Sequence, residues 1–456
     1  MAEWTRRVVE GWGRFPVVEA DVARPERRAD IIRAVQETNG AGILAHGLGR
    51  SYGDAALLKD GRVVVTERLD RMLAFDEASG WLTAEAGVSL SDILATFVPR
   101  GWFLPVTPGT RFVTLGGALA ADVHGKDHGS QGCFSNHVRA FDLVVGDGSV
   151  VTVTREREPE LFQATAGGMG LTGIILAMEV QLRRIANPYI ACDTIRTESL
   201  DHFFEVSGAH HHPAAVTWID CITKGKAMGR GVYTGGDFAP ADAPLPAEGV
   251  LSKAKKALDP VMQVPLDAPG WALNGVTIKA FNEAVFRKEK PGSHFSYQHY
   301  EQFYYPLDFM RSWNKIYGKR GFLQYQYVLP PDPEHRVMRT LLEQITQTNR
   351  GFLAVIKEFG NSDNGGLSFP MPGATLAVDF PNYGEPLMTV LDRLDDIVAE
   401  AGGRVYLAKD ARLSRANFRR MYPRWEQWKA VRDRWDPKHL FRSEQGLRLG
   451  LVEDAR

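Results

Sequence analysis

Cysteine is scarce in this sequence of 456 residues. Cys133, Cys192 and Cys221 are odd in number and widely spaced, and no C-x-x-C pair occurs. This pattern argues against a disulfide framework and against a zinc site built on paired cysteines. It is typical of a protein from a reducing compartment, or of unreactive thiols packed in the core.

An excess of positive charge is also absent. Lysine and arginine number 54 against 55 for aspartate and glutamate, which gives a formal net charge of -1. A protein without a basic excess has little to hold a nucleic-acid backbone. We therefore expect no nucleic-acid partner.

Long apolar runs are missing as well. No stretch of about 18 apolar residues occurs, so no membrane-spanning helix is expected. The first residues, MAEWTRRVVEGWGRFPVV, contain no apolar segment of the kind that a secretory signal needs. We expect a cytoplasmic protein, with contact at the inner face of the membrane left open.

The composition, with 44% hydrophobic and 24% charged residues, is typical of a globular protein. Residues 1–185 alternate helix and strand signals, among them a helix from Pro25 to Val35. Two β-rich runs over 139–153 flank Gly146-Asp147-Gly148, which indicates a hairpin. An α+β fold around a mixed sheet is predicted.

The second half of the chain differs from the first in composition and in predicted secondary structure. Residues 238–275 are rich in proline and alanine, which indicates a mobile lid or a surface insertion. Aromatic-rich strands are predicted at 293–307, 321–329 and 352–360, and an amphipathic helix at 385–403. Alternation in the second of these strands places Gln324 and Gln326 on one face.

Three glycine-rich segments carry most of the chemical information. They are HGLGRSYGD (46–54), VTPGTRFVTLGGALAADVHGK (106–126) and AGGMGLTGIIL (166–176). None is a Walker A loop or a persuasive dinucleotide fingerprint. Glycine lets backbone N–H groups approach phosphate oxygens, although each loop alone is better explained as a turn between strands. Together, the three loops suggest a site that surrounds one extended dinucleotide.

These segments resemble the FAD-binding half of the vanillyl-alcohol oxidase superfamily, also called the PCMH-type FAD-binding fold. Within it, FYYPLDFMRSWNKIYG, GFLQYQYVLP, LSFPMPG, AVDFP and YLAKDAR are similar to the decaprenylphosphoryl-β-D-ribose 2′-oxidase family. The resemblance covers most of the chain apart from about residues 225–290. It implies a two-domain flavoprotein, with an FAD-binding domain (1–187 and 404–456) and a substrate domain containing an antiparallel sheet (188–403).

The resemblance also implies which residues contact FAD. In the three loops and beyond them these are Gly47, Gly49, Arg50, Ser51, Tyr52, Gly53, Pro108, Gly109, Thr110, Thr114, Gly116, Gly117, Asp122, Val123, His124, Gly125, Gly168, Gly170, Gly173, Ile174 and Lys409. Many members of the superfamily attach FAD covalently through a histidine in the first loop. Arg50 stands at the corresponding place, so we expect non-covalent FAD.

The implied reaction is oxidation of a secondary alcohol, in which a hydride goes to the flavin and a proton to a base. Lys409 is implied to lie against the flavin, either as a cation or as a neutral base, although taken alone it fits a solvated surface lysine. His124 is the second candidate base, or a hydrogen-bond partner of flavin or substrate.

The family's substrate pocket corresponds to Lys126, Trp218, Tyr317, Gln324, Gln326, Lys357, Thr375 and Ala377. Lys126 offers a cation suited to a phosphate. Mycobacterial members carry asparagine at Thr375 and cysteine at Ala377, so the pocket near the sugar is altered. No metal is expected, because neither His124, His128 and His137 nor the 210–212 histidine run has a zinc-like spacing with an acidic partner.

The resemblance implies FAD-dependent oxidation of the 2′-hydroxyl of a polyprenylphosphoryl-β-D-ribose. The keto product would pass to a separate NAD(P)H-dependent short-chain reductase, which completes an epimerisation to the arabinose form used in arabinan and cell-wall polysaccharide synthesis. Two alternatives remain open. One is an FAD-dependent oxidase of a soluble sugar or alditol, and the other is a flavin-binding module without catalysis.

Overall fold

A computed structural model describes residues 3–38, 40–245, 262–361 and 364–453. It contains helices together with mixed and antiparallel sheets, which confirms the predicted α+β class. Part of the proline-rich segment predicted as a mobile loop, residues 246–261, lies outside the described residues. Within those described ranges, no helix is both long and apolar enough to cross a bilayer.

The strands lie in three larger sheets and two short two-stranded ribbons. They are β1 (Thr5–Glu10), β2 (Val17–Ala23), β3 (Ile43–His46), β4 (Arg62–Val65), β5 (Met72–Asp76), β6 (Trp81–Glu85), β7 (Trp102–Phe103), β8 (Val138–Val144), β9 (Val150–Thr154), β10 (Ile174–Gln181), β11 (Arg183–Arg184), β12 (Tyr189–Thr197), β13 (Ala214–Ile219), β14 (Gly231–Phe238), β15 (Met262–Gln263), β16 (Ser293–His299), β17 (Met310–Arg311), β18 (Phe322–Leu329), β19 (Ala354–Phe359), β20 (Gly373–Pro381) and β21 (Arg404–Val405).

The α-helices connect these strands and cover their faces. They span Arg28–Gln36, Leu90–Phe97, Leu115–Ala120, His128–Gln131, Pro159–Thr165, Leu200–Ala209, Gly275–Lys288, Tyr300–Tyr304, Arg336–Gln347, Glu385–Glu400, Arg415–Met421, Trp425–Trp435 and Glu444–Leu449.

The amino-terminal half contains two of the larger sheets. A four-stranded sheet has the order β1-β2-β4-β3, and an antiparallel sheet has the order β5-β6-β10-β8-β9. The predicted hairpin is confirmed, because β8 pairs with β9 around Gly146-Asp147-Gly148. Gly148 has a φ of 82°, a left-handed conformation that glycine adopts without steric cost. The predicted first helix is also confirmed, over Arg28–Gln36, with its apolar face in the core.

An eight-stranded sheet dominates the middle of the chain, with the order β16-β12-β14-β13-β19-β20-β18-β21. Neighbouring strands of this sheet are antiparallel. β18 pairs with β20, which places Gln324 opposite Asp379 and Gln326 opposite Ala377. The alternation predicted for β18 is confirmed, since Tyr325 and Tyr327 join the main hydrophobic core on the other face.

The predicted strand at 293–307 is correct only as far as His299. Tyr300, Phe303 and Tyr304 follow at helical spacing, and the short helix Tyr300–Tyr304 buries all three rings. Phe103 of the first half packs against the rings of Tyr300 and Tyr304. Tertiary packing of these aromatic rings therefore replaces the second half of the predicted strand.

The chain returns to the first half after β21. Phe441 forms a parallel bridge with Ile43, at the start of the strand that leads into the first glycine loop. Arg448 pairs with Asp54 at 2.7 Å and with Asp410 at 2.8 Å. These contacts fix the loop that carries Lys409 against the first glycine loop.

Candidate active site

A cavity of about 1350 Å³ lies between the glycine loops and the eight-stranded sheet. Of the residues predicted for the FAD and substrate sites, all line this cavity except Gly53, Asp122, Gly168, Ile174, Tyr317 and Thr375. Loops that are far apart in sequence therefore converge on one chamber.

The glycine-loop residues outside the lining support the loops that form it. A Cβ on Gly53 would collide with the backbone carbonyl of Asp410, so this glycine allows two loops to touch. The N–H of Tyr52 donates to the carbonyl of Ala408 at 2.9 Å in the same contact. Gly168 packs in the same manner against the carbonyl of Ala164.

Asp122 and Ile174 point away from the cavity. The Asp122 carboxylate accepts hydrogen bonds from the backbone N–H of Ser135 at 3.0 Å and from the Ser368 hydroxyl at 2.6 Å. Asp122 has a φ of 39°, so the backbone turns sharply just before His124. Ile174 is fully buried in the core, and its neighbour Ile175 faces the cavity instead.

The described residues offer a donor set and free space that fit FAD. A Cβ on Gly109 would meet no protein atom within 4 Å, although this glycine lines the cavity. The backbone N–H groups of Gly49, Arg50 and Ser51 have no hydrogen-bond acceptor among the residues that the structure describes. Such unpaired donors on a glycine-rich turn suit phosphate oxygens.

His124 is one of the most enclosed polar side chains of the chamber. Its ring packs among those of Phe359, Phe369 and Tyr406. Burial lowers the pKa of His124 well below its usual value, and the neighbouring cation of Lys357 acts in the same direction. His124 is therefore neutral at physiological pH.

Gln326 determines which nitrogen of His124 carries the proton. Thr375 donates its hydroxyl proton to the carbonyl of Tyr327 at 2.8 Å, so its oxygen accepts from the Gln326 amide nitrogen at 3.3 Å. The same nitrogen lies 3.1 Å from His124 Nε2 and donates to it. The remaining proton is on Nδ1, which is buried without a partner among the described residues.

Three lysines converge on the same chamber. Burial lowers the pKa of Lys126 to about 7 and that of Lys357 to about 8. Lys126 Nζ donates to the carbonyl of Phe303. Lys409 Nζ lies 3.5 Å from the centre of the Tyr52 ring, and burial also lowers its pKa. Among the described residues none of these three amines has a salt-bridge partner, so the cluster is suited to an anionic ligand.

Asp379 also lines the cavity, and sequence reasoning missed it. Its carboxylate accepts hydrogen bonds from the Tyr317 hydroxyl at 2.8 Å and from the Gln324 amide at 2.6 Å. Burial raises the pKa of Asp379, and the charge of Lys409 opposes that shift. The signal was present, because alternation along β20 places Asp379 on the same face as Ala377.

Tyr317 and Thr375 lie behind the lining and act through other side chains. Tyr317 stacks on Phe322 with ring centres 4.0 Å apart and holds Asp379. Thr375 is buried under Gln326. Trp218 lies in the lining itself, and its indole N–H is buried without an acceptor among the described residues.

Comparison with known proteins identifies two sequence signatures. Residues 20–154 match the FAD binding domain, and residues 381–448 match the D-arabinono-1,4-lactone oxidase family. The first match contains two of the three glycine loops, and the second contains Lys409.

Full-length similarity is more specific. The chain is 36% identical over 455 residues to the decaprenylphosphoryl-β-D-ribose oxidase of Mycolicibacterium smegmatis, which covers 98% of each protein. It is also 31% identical over 137 residues to L-gulonolactone oxidase of Scyliorhinus torazame, covering 30% of each protein. The chain therefore belongs to the decaprenylphosphoryl-β-D-ribose oxidase family, and it is an FAD-dependent oxidoreductase that acts on CH–OH groups.

Proposed function

We propose that this enzyme oxidises the 2′-hydroxyl of a polyprenylphosphoryl-β-D-ribose to the 2′-keto sugar, the first step of epimerisation to the arabinose form. The observation that carries this proposal is the convergence of Lys126, Lys357 and Lys409 on the flavin chamber. The relative with 36% identity, which is named for this substrate, supports it.

The buried lysines favour a phosphorylated substrate over a soluble polyol. Lys126 and Lys357 lose hydration in the chamber, as their lowered pKa values indicate. A phosphate restores the interactions that both ammonium groups lose, and it holds them in the charged form. A neutral sugar or alditol would leave them uncompensated.

The cofactor and the substrate are assigned to different parts of the chain. Residues 1–187 and 404–456 hold FAD, whose isoalloxazine, when bound, accepts the hydride from the carbinol carbon. Residues 188–403 form the sugar pocket, with Trp218 as a wall and Gln324, Gln326 and Ala377 beside it. His124, Lys126 and Lys409 reach the substrate from the FAD-binding part. Thr375 and Tyr317 position the polar residues of this pocket from behind.

FAD is held without a covalent bond. Arg50 lies over the Trp12 ring at 4.3 Å, and a guanidinium is a poor nucleophile. His46 does not line the chamber, and its Nδ1 lies 3.0 Å from the carbonyl of Ala56. Acid precipitation should therefore release the flavin into the supernatant, whereas colour retained in the pellet would contradict this assignment.

Lys409 takes the proton of the reacting hydroxyl. Burial and the repulsion from Lys357 favour its neutral form, which has a lone pair on Nζ. After proton transfer, the resulting ammonium lies near Asp379, whose negative charge favours it. The same group therefore removes a proton and then stabilises the charge that develops beside it.

His124 holds the substrate oxygen and does not act as the base. Its Nε2 lone pair is used by Gln326, so only the Nδ1–H is free to interact with a ligand. A neutral imidazole with that proton donates a hydrogen bond to the sugar oxygen or to the flavin. The assignment leaves Lys409 as the group able to accept a proton.

The mouth of the chamber contacts a membrane surface that contains the polyprenyl chain. Phe281 and Phe309 line the cavity and are also 41% and 45% exposed. Val276, on the same helix as Phe281, is 79% exposed, and the last turn of that helix carries Arg287 and Lys288. Co-sedimentation with anionic phospholipid vesicles should decline when Val276 is changed to Asp, and unchanged binding would contradict membrane contact here.

The keto product is reduced by a separate NAD(P)H-dependent short-chain reductase.

The test of the proposed function is anaerobic rapid mixing of the oxidised enzyme with polyprenylphosphoryl ribose and, separately, with free ribose and alditols. We expect the flavin absorption to bleach quickly with the first substrate only. Equal bleaching by alditols would favour the soluble-sugar alternative, and no bleaching at all would favour a non-catalytic module.

A further inference from the structure

Asp193, His210 and His212 form a cluster outside the flavin chamber. One ligand atom from each side chain lies within 4.8 Å of the others, and all three residues are partly buried. Asp193 belongs to β12, whereas the two histidines lie in the connection between the helix Leu200–Ala209 and β13. Imidazole nitrogens with one carboxylate are a donor set that transition metals prefer.

The cluster lies on the opposite face of the eight-stranded sheet from the chamber. Along β14, Val232 and Thr234 line the chamber, so Tyr233 and Gly235 point to the other side. His212 contacts both Tyr233 and Asp193 on that outer face. The cluster is therefore independent of the FAD and substrate sites.

The hydrogen bonds around His212 leave one nitrogen directed at a carboxylate. The Tyr233 hydroxyl lies 3.0 Å from His212 Nδ1 and 3.3 Å from the carbonyl of His210. His212 Nε2 lies 3.0 Å from Asp193 Oδ2. A nitrogen and a carboxylate oxygen at this separation are close enough to share a proton or to bind one metal ion.

Gly235 provides the space that brings the cluster together. It pairs with Asp193 on one side and with Ala215 on the other. A Cβ on Gly235 would lie 2.6 Å from His212 Nδ1 and 2.7 Å from the Tyr233 hydroxyl. Only glycine lets the imidazole cross this strand to reach the carboxylate.

We propose that Asp193, His210 and His212 bind a divalent transition-metal ion of the Zn²⁺ class, with water completing the coordination. The three ligand atoms supply two nitrogens and one oxygen to one centre. Tyr233 acts as the outer hydrogen-bond partner that orients His212, as such partners do in metal sites.

The sequence pattern does not predict this site, for two physical reasons. His210 has an extended backbone, with a φ of -112°, and in extended chain alternate residues share a face. The two histidines therefore share a face at i, i+2, whereas the histidines of helical zinc motifs are spaced i, i+4. The carboxylate comes from an earlier strand that only the folded sheet brings close.

A metal here would fix the start of β13. The carbonyl of Pro213 accepts from the Ser130 hydroxyl at 2.8 Å, and Ala215 N–H donates to the carbonyl of Lys126 at 2.9 Å. The clamped segment thus adjoins the loop that carries Lys126. Because the ion binds the folded state, Zn²⁺ should raise Tm in proportion to the logarithm of its concentration above Kd.

The test uses flavin-loaded full-length protein that has been stripped with a chelator and titrated with Zn²⁺ against a chromogenic competitor. We expect the unmodified protein to bind one equivalent of Zn²⁺ per chain in a saturable manner. The His211→Gln variant, which alters the exposed neighbour in the same histidine run, should do the same. Asp193→Asn and His212→Gln should lose this equivalent while keeping normal flavin content. Tyr233→Phe should weaken binding about tenfold or more.

A second measurement needs no substitution. Zn²⁺ should protect His210 and His212, but not His211, from modification by diethyl pyrocarbonate, as mapped by peptide mass spectrometry. Absence of a saturable equivalent, equal protection of all three histidines, or undiminished Zn²⁺ binding in both Asp193→Asn and His212→Gln would overturn the proposal. In those cases the His212–Asp193 contact holds no metal ion.

Discussion

The amide nitrogen of Gln326 lies 3.1 Å from Nε2 of His124, and both side chains are buried. The Thr375 oxygen beneath it accepts from the same amide, which prevents the amide from turning its oxygen toward the imidazole. Three residues from separate segments thus fix one tautomer. The only proton that His124 offers to a ligand is on Nδ1.

Replacing Thr375 with Val should disturb this tautomer without removing any group that touches the substrate. Val lacks an acceptor for the Gln326 amide, so the amide can rotate and present its oxygen to His124. We expect flavin reduction by substrate to slow by about tenfold, the scale of one net hydrogen bond. The nitrogen chemical shifts of His124 should show a mixed tautomer. Thr375→Ser, which keeps the hydroxyl, is the matched control and should behave as the unmodified enzyme does.

Lys409→Ala should leave the flavin bound but slow its anaerobic reduction at least about a hundredfold, the scale of one positioned proton-transfer group. Lys409→Arg separates the two roles of this residue. Arginine keeps a positive charge but does not deprotonate in proteins. If Lys409 is the base, arginine will not restore the rate, whereas full recovery would assign a purely electrostatic role.

The reduction rate at saturating substrate should rise with pH. The base must be neutral, and burial lowers the pKa of Lys409 below the ordinary lysine value of 10.5. The rate is therefore low at acidic pH, where Nζ is protonated, and levels off above the lowered pKa. Stopped-flow measurements across pH check this, and a rate that falls as pH rises would indicate that the ammonium form is the active one.

Sequence patterns alone predicted which of the segments discussed above form helices and which form strands, and where most of these segments begin and end. The 139–153 hairpin and the alternation of β18 were predictable because turn chemistry and a period of two are local properties. The strand predicted at 293–307 was partly wrong because its aromatic residues fit either a strand or a helix. The contact of Tyr300 with Phe103, which is far away in sequence, favours a helix over a strand from Tyr300 onward.

The candidate site was less accessible to sequence reasoning. Alternation along β20 already places Asp379 on the face of Ala377, but its partners Tyr317 and Gln324 come from other elements that only the fold brings close. Gly53 was assigned to FAD, yet it lies where two loops meet. Residue types in the glycine loops indicate a ligand, but only the fold separates a residue that lines the cavity from one that supports the lining.

Lys126→Ala and Lys357→Ala should act on binding and not on chemistry. Each removes a charge-assisted contact to the substrate phosphate, so KM should rise by about tenfold to a hundredfold while kcat changes little. Steady-state kinetics with polyprenylphosphoryl ribose measure this split. An equal loss in kcat would place either lysine at the reacting hydroxyl instead. A non-phosphorylated ribose analogue is the control, and its slow residual turnover should be insensitive to both substitutions.

The proposed function depends on one step, in which the hydride leaves C2′ of a phosphorylated pentose inside the flavin chamber. The most direct measurement compares the rate of anaerobic flavin bleaching by polyprenylphosphoryl ribose labelled with deuterium at C2′ and at C3′. Label at C2′ should slow bleaching markedly, while label at C3′ should leave it unchanged. Equal rates for the C2′-labelled and unlabelled substrate, or slowing by C3′ label alone, would contradict hydride loss from C2′.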